Sequence, residues 1–343
     1  MNRVARMDPG QRADLFAETA ERLEIPESLI EKDFWVCWVL KQIFSHEPWN
    51  GRFLFKGGTS LSKVFHAINR FSEDIDLAVD YAMLGYTGPR EPTQPNLSKT
   101  KRAQLLSEML LSCQHYIARE FQPRLAERFE ILLGESKSWS LTVDTQDPHI
   151  VRFQYPQAIH NQVAYVSPQV ILEMGTHAEF IPRDHFVLRS FAATEFPTLF
   201  AEPDVKVAAL LAKRTFWEKV TLIHAEHHRP PEKVTPGRYS RHYYDLAMLA
   251  QSPVKVEALA DMGLLARVVQ HKVAFYPSAW ARYDLAFPGT LRLVPPKSRQ
   301  DLLKEDYRRM AVMIFGKAPT FDNILATLAR LEEEINSAKR LAP

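Results

Sequence analysis

"LFKGGTSLSKVFHAINRFSEDIDLAVD", residues 54–80, decides how the rest of this chain is read. The apolar run Phe53-Leu54-Phe55 is a short strand that meets a turn at Gly57-Gly58. Residues 60–68 place Leu61, Val64, Phe65 and Ile68 at helical spacing, and Ile75 to Val79 is a second strand. A glycine pair between strand and helix frees backbone N–H groups at a corner toward which the positive end of the helix also points. Phosphate oxygens bind in such corners. Lys56 adds a cation, and Thr59 and Ser60 can cap the helix or offer a hydroxyl to a phosphate. The Gly-x4-Gly-Lys-Ser/Thr spacing of a P-loop is absent. Taken alone, the turn reads better as a tight corner before a capped helix.

Asp74 and Asp76 carry more information. On a strand, residues i and i+2 share a face, so both carboxylates project together. Two like charges that close repel, and one takes a proton unless a cation lies between them. Hard oxygen ligands with open positions suit Mg²⁺ (or Mn²⁺). The plain alternative is a solvated strand end with two acids. A nucleoside triphosphate supplies phosphates for the turn and a divalent ion for the acids, so the two features together point to nucleotide chemistry.

The remainder of the chain sets bounds on this reading. Its 343 residues suffice for two domains, and 46% hydrophobic with 24% charged residues is ordinary for a globular protein. A formal net charge of +2 selects no nucleic-acid or acidic partner globally, so any basic surface is local. Cys37 and Cys113 are too few for a disulfide framework or a cysteine zinc site, and they read as core thiols. No apolar stretch reaches membrane-spanning length, and residues 1–10 lack a signal-peptide core, so no membrane partner and a reducing cytoplasm are expected.

Periodicity predicts helices over 11–24, 27–45 and 98–121, a loop over 85–97, and strands at 128–133, 139–144, 149–155, 168–174 and 185–192. Helices follow at 204–227, 239–251, 254–274, 299–316 and 321–339, with a proline-rich loop at 229–237. The expected organisation is α+β: a mixed-sheet domain over 1–200 and a helical domain over 201–343. Trp35 and Trp38 lie on an apolar helix and read as packing.

The block Lys56-Gly57-Gly58-Thr59-Ser60-Leu61 with Arg70-Phe71-Ser72-Glu73-Asp74-Ile75-Asp76-Leu77 resembles the polymerase-β-like nucleotidyltransferase superfamily, and more closely the AbiEii/AbiGii nucleotidyltransferase toxin family. The resemblance covers roughly residues 30–80, 165–180 and 200–250. It implies a polymerase-β-like core with a mixed sheet, a helical C-terminal domain that completes the active site and binds the acceptor, and a role as toxin of a toxin–antitoxin or phage-defence system. It further implies an NTP donor, release of pyrophosphate, an acceptor hydroxyl plausibly on RNA such as a tRNA 3′ end, and a cognate antitoxin. Phosphates would contact Lys56, Gly57, Gly58, Thr59, Ser60 and Ser72, while Asp74 and Asp76 would hold metal.

The same resemblance implies a third acid on a neighbouring strand. Glu173 after Val170-Ile171-Leu172 fits, with Asp144 after "WSLTV" as the competing choice. It also maps a Glu-Lys pair onto Glu218-Lys219 and a later acid onto Asp245, within Arg241-His242-Tyr243-Tyr244-Asp245. Related toxins carry Arg-Asp where this chain has Arg241-His242. Lys219 would neutralise charge on the triphosphate, and Asp245 would orient that lysine or the attacking hydroxyl. An interhelical ion pair is the structural alternative.

Between residues 205 and 242 there are eight Lys or Arg and three acids. Histidines 224, 227, 228 and 242 and Phe216, Trp217, Tyr239, Tyr243 and Tyr244 are interleaved with them, a composition that predicts an RNA-backbone surface with stacking platforms. His224 and His228 sit at i, i+4, but the glutamate between them is misplaced for a zinc motif. The alternative functions are a nucleotide-sensing module without turnover, and transfer to a protein or small-molecule hydroxyl.

Overall fold

Seven strands make one mixed sheet: β1 (Phe53–Lys56), β2 (Asp74–Val79), β3 (Ser140–Val143), β4 (Ile150–Gln154), β5 (Val170–Gly175), β6 (Arg183–Leu188) and β7 (Val205–Leu210). Their order across the sheet is β3-β4-β5-β2-β1-β7-β6. The central strand β2 runs antiparallel to β1 and parallel to β5. β1 is parallel to β7, and the outer pairs are antiparallel. The computed structural model describes residues 1–135, 138–160 and 167–338.

Contacts divide the chain into two units. The first is Met1–Val64 with Phe71–Leu210, and holds the whole sheet. Its helices are α1 (Asn2–Ala5), α2 (Pro9–Leu23), α3 (Glu27–Phe44), α4 (Gly57–Lys63), α5 (Lys99–Tyr116), α6 (Gln122–Leu133) and α7 (Phe191–Glu195). Helix α3 packs against β2, β5 and β7. It is apolar on every side through Phe34-Trp35-Val36-Cys37-Trp38-Val39-Leu40, as a helix enclosed by its own domain must be. Trp35 stacks on Tyr155 with ring centroids 5.6 Å apart, and Trp38 lies 4.6 Å from Phe129, so both tryptophans are packing residues. Cys37 and Cys113 are buried free thiols.

The second unit is Phe65–Arg70 with the chain from Leu211 onward. It contains α8 (Ala212–His227), α9 (Ser240–Leu249), α10 (Pro253–Leu259), α11 (Met262–Phe275), α12 (Lys297–Met310) and α13 (Phe321–Ser337). Residues 65–70 are tied into it by the Phe315 N–H, which donates to the Asn69 carbonyl at 2.8 Å, and by a β-bridge between Arg70 and Ile314. No helix among the described residues is long and apolar enough to cross a membrane.

Several sequence expectations need correction. The strand expected at 128–133 is the end of α6: Leu125 and Phe129, one helical turn apart, are buried while Ile131 is 73% exposed. The helix expected over 204–227 begins as β7, where Val205, Val207 and Ala209 are buried and Lys206 is exposed, a period of two. The helix expected over 254–274 is two, because the Asp261 carboxylate accepts the Leu264 N–H and caps a new start. The expected strand 185–192 ends at Leu188, and Ser190 then caps α7. The helix expected over 98–121 ends in a π-turn, Ile117–Phe121, and that over 299–316 ends at Met310. Residue 339, the last of the expected C-terminal helix, lies outside the described residues.

Candidate active site

The glycine turn and the aspartate pair touch. β1 runs straight into α4, whose first residue is Gly57 at φ +78°, a backbone region that side chains disfavour. A Cβ on Gly57 would lie 1.8 Å from Asp76 Oδ2, so the turn closes directly over that carboxylate. The helix therefore starts earlier than residue 60 and ends at Lys63. Its N-cap position is Lys56, which caps with no side-chain bond. Thr59 and Ser60 are buried and do not cap: Thr59 donates its hydroxyl to the Asp74 carbonyl, and Ser60 donates to the Gly57 carbonyl at 3.0 Å. Gly58 is half-buried in the first turn, and Ser72 is half-buried two residues before Asp74.

Sheet register assembles the acids. Asp76 faces Lys56 on β1 and Glu173 on β5, and Asp74 faces Ile171 on β5. Register-paired residues share a face, so Asp74, Asp76 and Glu173 project from the same side of the sheet. Burial pushes the Asp74 carboxyl up to about 7, helped by the charges of Glu73, Glu173 and Asp76 and opposed by Lys32. Asp74 Oδ1 is buried without a hydrogen-bond partner. Asp144 has other work. Its carboxylate accepts the N–H groups of Gln146 and Asp147 and pairs with Arg152 at 2.6 Å, which hold its pKa down at about 2. Among the described residues, no group of three or more His, Cys, Asp or Glu is placed to hold a metal ion.

Two residues near the acids were missed in the sequence. Glu73 precedes Asp74 and is 7% exposed, and Lys32 of α3 is fully buried against it, with Nζ 2.8 Å from Glu73 Oε2. The signal was present in Glu31-Lys32-Asp33, three consecutive charges on a helix whose neighbours are apolar on all sides.

In the second unit, Lys219 on α8 and Asp245 on α9 meet at 2.8 Å. Asp245 is completely buried and takes two further bonds from Arg70, Nε at 2.7 Å and Nη2 at 2.9 Å, in the fork-to-carboxylate arrangement. Burial would raise the Asp245 pKa, but Arg70 and Lys219 together hold it far below the usual carboxylate range. Burial draws the Lys219 pKa down, with Arg70 and Arg241 adding to it and Asp245 opposing. His242 Nδ1 lies 3.5 Å from Lys219 Nζ, and burial beside that cation lowers its pKa strongly. Glu218 pairs with the buried Arg214 at 3.1 Å. Arg70 opened the motif block in the sequence but was given no role of its own there.

Four of the five stacking platforms expected around residues 205–242 are core residues, and the fifth, Tyr239, is half-buried. Phe216, Trp217 and Tyr243 are 0% exposed and Tyr244 is 1% exposed, so no base can stack on them. Four of the eight cations are engaged in ion pairs, Lys213, Arg214, Lys219 and Arg229. Lys213 pairs with Asp261, and Arg229 pairs at 2.6 Å with Glu226, which is 2% exposed. His224 is a satisfied core histidine: Nε2 bonds the Arg282 carbonyl and Nδ1 accepts the Arg292 N–H. That arrangement fixes a neutral ring, and burial lowers its pKa accordingly.

A family model described as "Nucleotidyl transferase AbiEii toxin, Type IV TA system" matches residues 38–327. No curated protein matches the chain. Among solved structures, MenT4, a nucleotidyltransferase toxin from Mycobacterium tuberculosis H37Rv, is similar over 94% of this chain and 96% of its own, with 15% identity and a TM-score of 0.44.

Proposed function

We propose, from the premise that the chain belongs to the AbiEii family of nucleotidyltransferase toxins of type IV toxin–antitoxin systems, that Asp74 and Asp76 hold Mg²⁺ (or Mn²⁺) for transfer of a nucleotide from an NTP to RNA. The observation that carries this reading is Asp74: a half-buried carboxyl with an orphaned oxygen, crowded by three other acids beneath a glycine turn. That donor set fits a hard divalent ion. One or two carboxylates would suffice to hold Mg²⁺, whose remaining ligands would come from water and substrate phosphates. When bound, the ion lowers the pKa of the acceptor hydroxyl and offsets charge on the phosphoryl group.

The protein's own residues do the rest. The N–H groups of Gly57 and Gly58, with Lys56, hold the triphosphate. Thr59 and Ser60 support the turn from beneath through their backbone bonds, and Ser72 adds a hydroxyl at the start of β2. The acceptor oxygen forms a bond to the α-phosphorus while the bond to pyrophosphate breaks. Its proton passes to Glu173, or Glu173 serves as a third ligand. Lys219 neutralises charge on the triphosphate, and Asp245, locked by Arg70, sets the position of that ammonium.

The RNA acceptor, including a tRNA 3′ end, rests on the family resemblance, since four of the five aromatic residues thought to serve it are buried. Their burial favours as second reading a protein or small-molecule hydroxyl. A nucleotide sensor without turnover is disfavoured by the intact acids of a transferase family. The buried free thiols suit a reducing cytoplasm. The test incubates protein, Mg²⁺ and each α-³²P NTP with total RNA. Label on a discrete RNA band supports the reading, label on protein supports the second, and no label on either contradicts both.

A further inference from the structure

Helix α3 carries Glu31, Lys32 and Asp33 in succession, and all three are buried at 2% exposure or less. Burying three adjacent charges costs free energy that packed apolar residues would not, so their partners matter. Glu31 accepts the N–H groups of Ala158 and Ile159 at 2.6 and 3.2 Å. Lys32 donates to Glu73 Oε2 at 2.8 Å and to the Ser167 carbonyl at 2.9 Å. Asp33 Oδ1 pairs with Lys63 at 2.6 Å, and its Oδ2 accepts the Phe191 N–H at 2.7 Å.

Two of these attachments converge on the candidate site. Glu73 immediately precedes β2 with Asp74 and Asp76, and Ser167 lies three residues before β5 with Glu173. One ammonium therefore ties together the starts of the two parallel strands that carry all three acids. Lys63 is the last residue of α4, the helix that opens at Gly57, so the adjacent Asp33 anchors the glycine-turn helix to the same rigid rod. The Thr59 hydroxyl, bonded to the Asp74 carbonyl, closes the frame between α4 and β2.

We infer that Lys32 is a positioning residue for the divalent-ion site, holding β2 and β5 in the relative placement that presents Asp74 and Asp76 to one ion with Glu173 beside them. It acts through Glu73 and the Ser167 carbonyl. Outer partners that orient ligands matter in this way, and losing one costs about 10- to 100-fold in metal affinity or activity. The inference rests on the proposed metal-dependent reading of the acids, and its test separates the two.

Lys32→Met alone leaves Glu73 buried without its ammonium, so loss of the fold would mask loss of the site. The informative protein is the double variant Lys32→Met/Glu73→Gln, which removes both charges and keeps their volume. Mn²⁺ binding is titrated by electron paramagnetic resonance, alongside thermal melts and transfer kinetics, in wild type, the double variant and Asp74→Asn. The expected result is a folded double variant with Mn²⁺ affinity weakened by about 10- to 100-fold and kcat reduced in step. Wild-type Mn²⁺ affinity and kcat in a folded double variant would reduce Lys32 to a structural charge and overturn the inference, provided Asp74→Asn abolishes binding. Unchanged Mn²⁺ binding in Asp74→Asn would overturn the metal-site reading itself, and the positioning role with it. A double variant that fails to fold sends the same titration to Lys32→Arg, which keeps the charge and changes its shape; wild-type Mn²⁺ affinity there would overturn the inference.

Discussion

Gly57→Ala offers a test in which strain and contact can be separated, because the chain supplies its own control. Gly51 and Gly57 both lie in the left-handed region, at φ +73° and +78°. A Cβ at Gly51 would meet nothing within 4 Å, whereas one at Gly57 would lie 1.8 Å from Asp76 Oδ2, 2.5 Å from its Cγ and 2.9 Å from its Cβ. Both alanines carry the left-handed cost of about 1–2 kcal/mol. At Gly57 the Asp76 side chain must also retreat by about 1 Å or more to reach ordinary contact, and rotation about its own Cα–Cβ bond cannot relieve the clash at Cβ. A misplacement of about 1 Å at a reacting centre costs about 100-fold in rate. Thermal melts and transfer kinetics on the two variants should therefore show similar stability losses from strain, near-normal kcat for Gly51→Ala, and a loss of about 100-fold or more for Gly57→Ala. Equal kcat in the two alanine variants would refute the claim that the turn sets the position of Asp76.

Other outcomes follow from the same geometry. In metal-free buffer the native Asp74 carboxyl, pushed up to about 7 from 3.8, holds a proton that the unfolded chain has lost, so stability falls as pH rises from about 4 to about 7, by at most about 4 kcal/mol. Asp74→Asn lacks that contribution and should melt higher than wild type at about pH 8 while matching it near pH 4; parallel stability profiles would contradict the crowding of the acids. Asp245→Ala strands Arg70 and Lys219 and should cost about 3–5 kcal/mol, whereas Lys219→Met leaves Asp245 held by two bonds from Arg70 and should fold at a smaller cost yet lose turnover. Normal turnover in Lys219→Met would leave the lysine as an interhelical ion pair. Arg229→Glu sets a second carboxylate against buried Glu226 and should lower the melting temperature sharply, while Lys233→Glu, over the Trp280 ring, should shift stability by only about 0.5 kcal/mol; equal melts would show that the Arg229–Glu226 pair carries no stability.

What the sequence revealed and what it hid have physical reasons. The period of two on a strand made the shared face of Asp74 and Asp76 legible, and the short apolar run before Glu173 made β5 legible. Choosing Glu173 over Asp144 required register, since both end apolar runs and only one pairs with Asp76. The Lys32–Glu73 and Arg70–Asp245 pairs join residues 41 and 175 positions apart, a separation that no local pattern encodes. The interleaved charges and aromatics of α8 and α9 mimicked a nucleic-acid surface because these helices are enclosed on nearly all sides, so their charges had to be buried in pairs. The segment "FEILL" read as a strand from its apolar run, while Leu125 and Phe129, one turn apart, obeyed the helical period.

The central claim is that Asp74 and Asp76 serve one divalent ion in nucleotide transfer, and the most direct measurement is single-turnover transfer from α-³²P NTP to total RNA across a Mg²⁺ titration. Wild type, Asp74→Ala and Asp76→Ala would be compared at equal soluble concentration, each shown folded by its melt. The account predicts discrete labelled RNA in wild type, saturating with Mg²⁺ and abolished by chelation, with either variant reduced by several orders of magnitude at every Mg²⁺ concentration. Labelled RNA at the wild-type rate from folded Asp74→Ala, or wild-type transfer that persists in chelator, would contradict it.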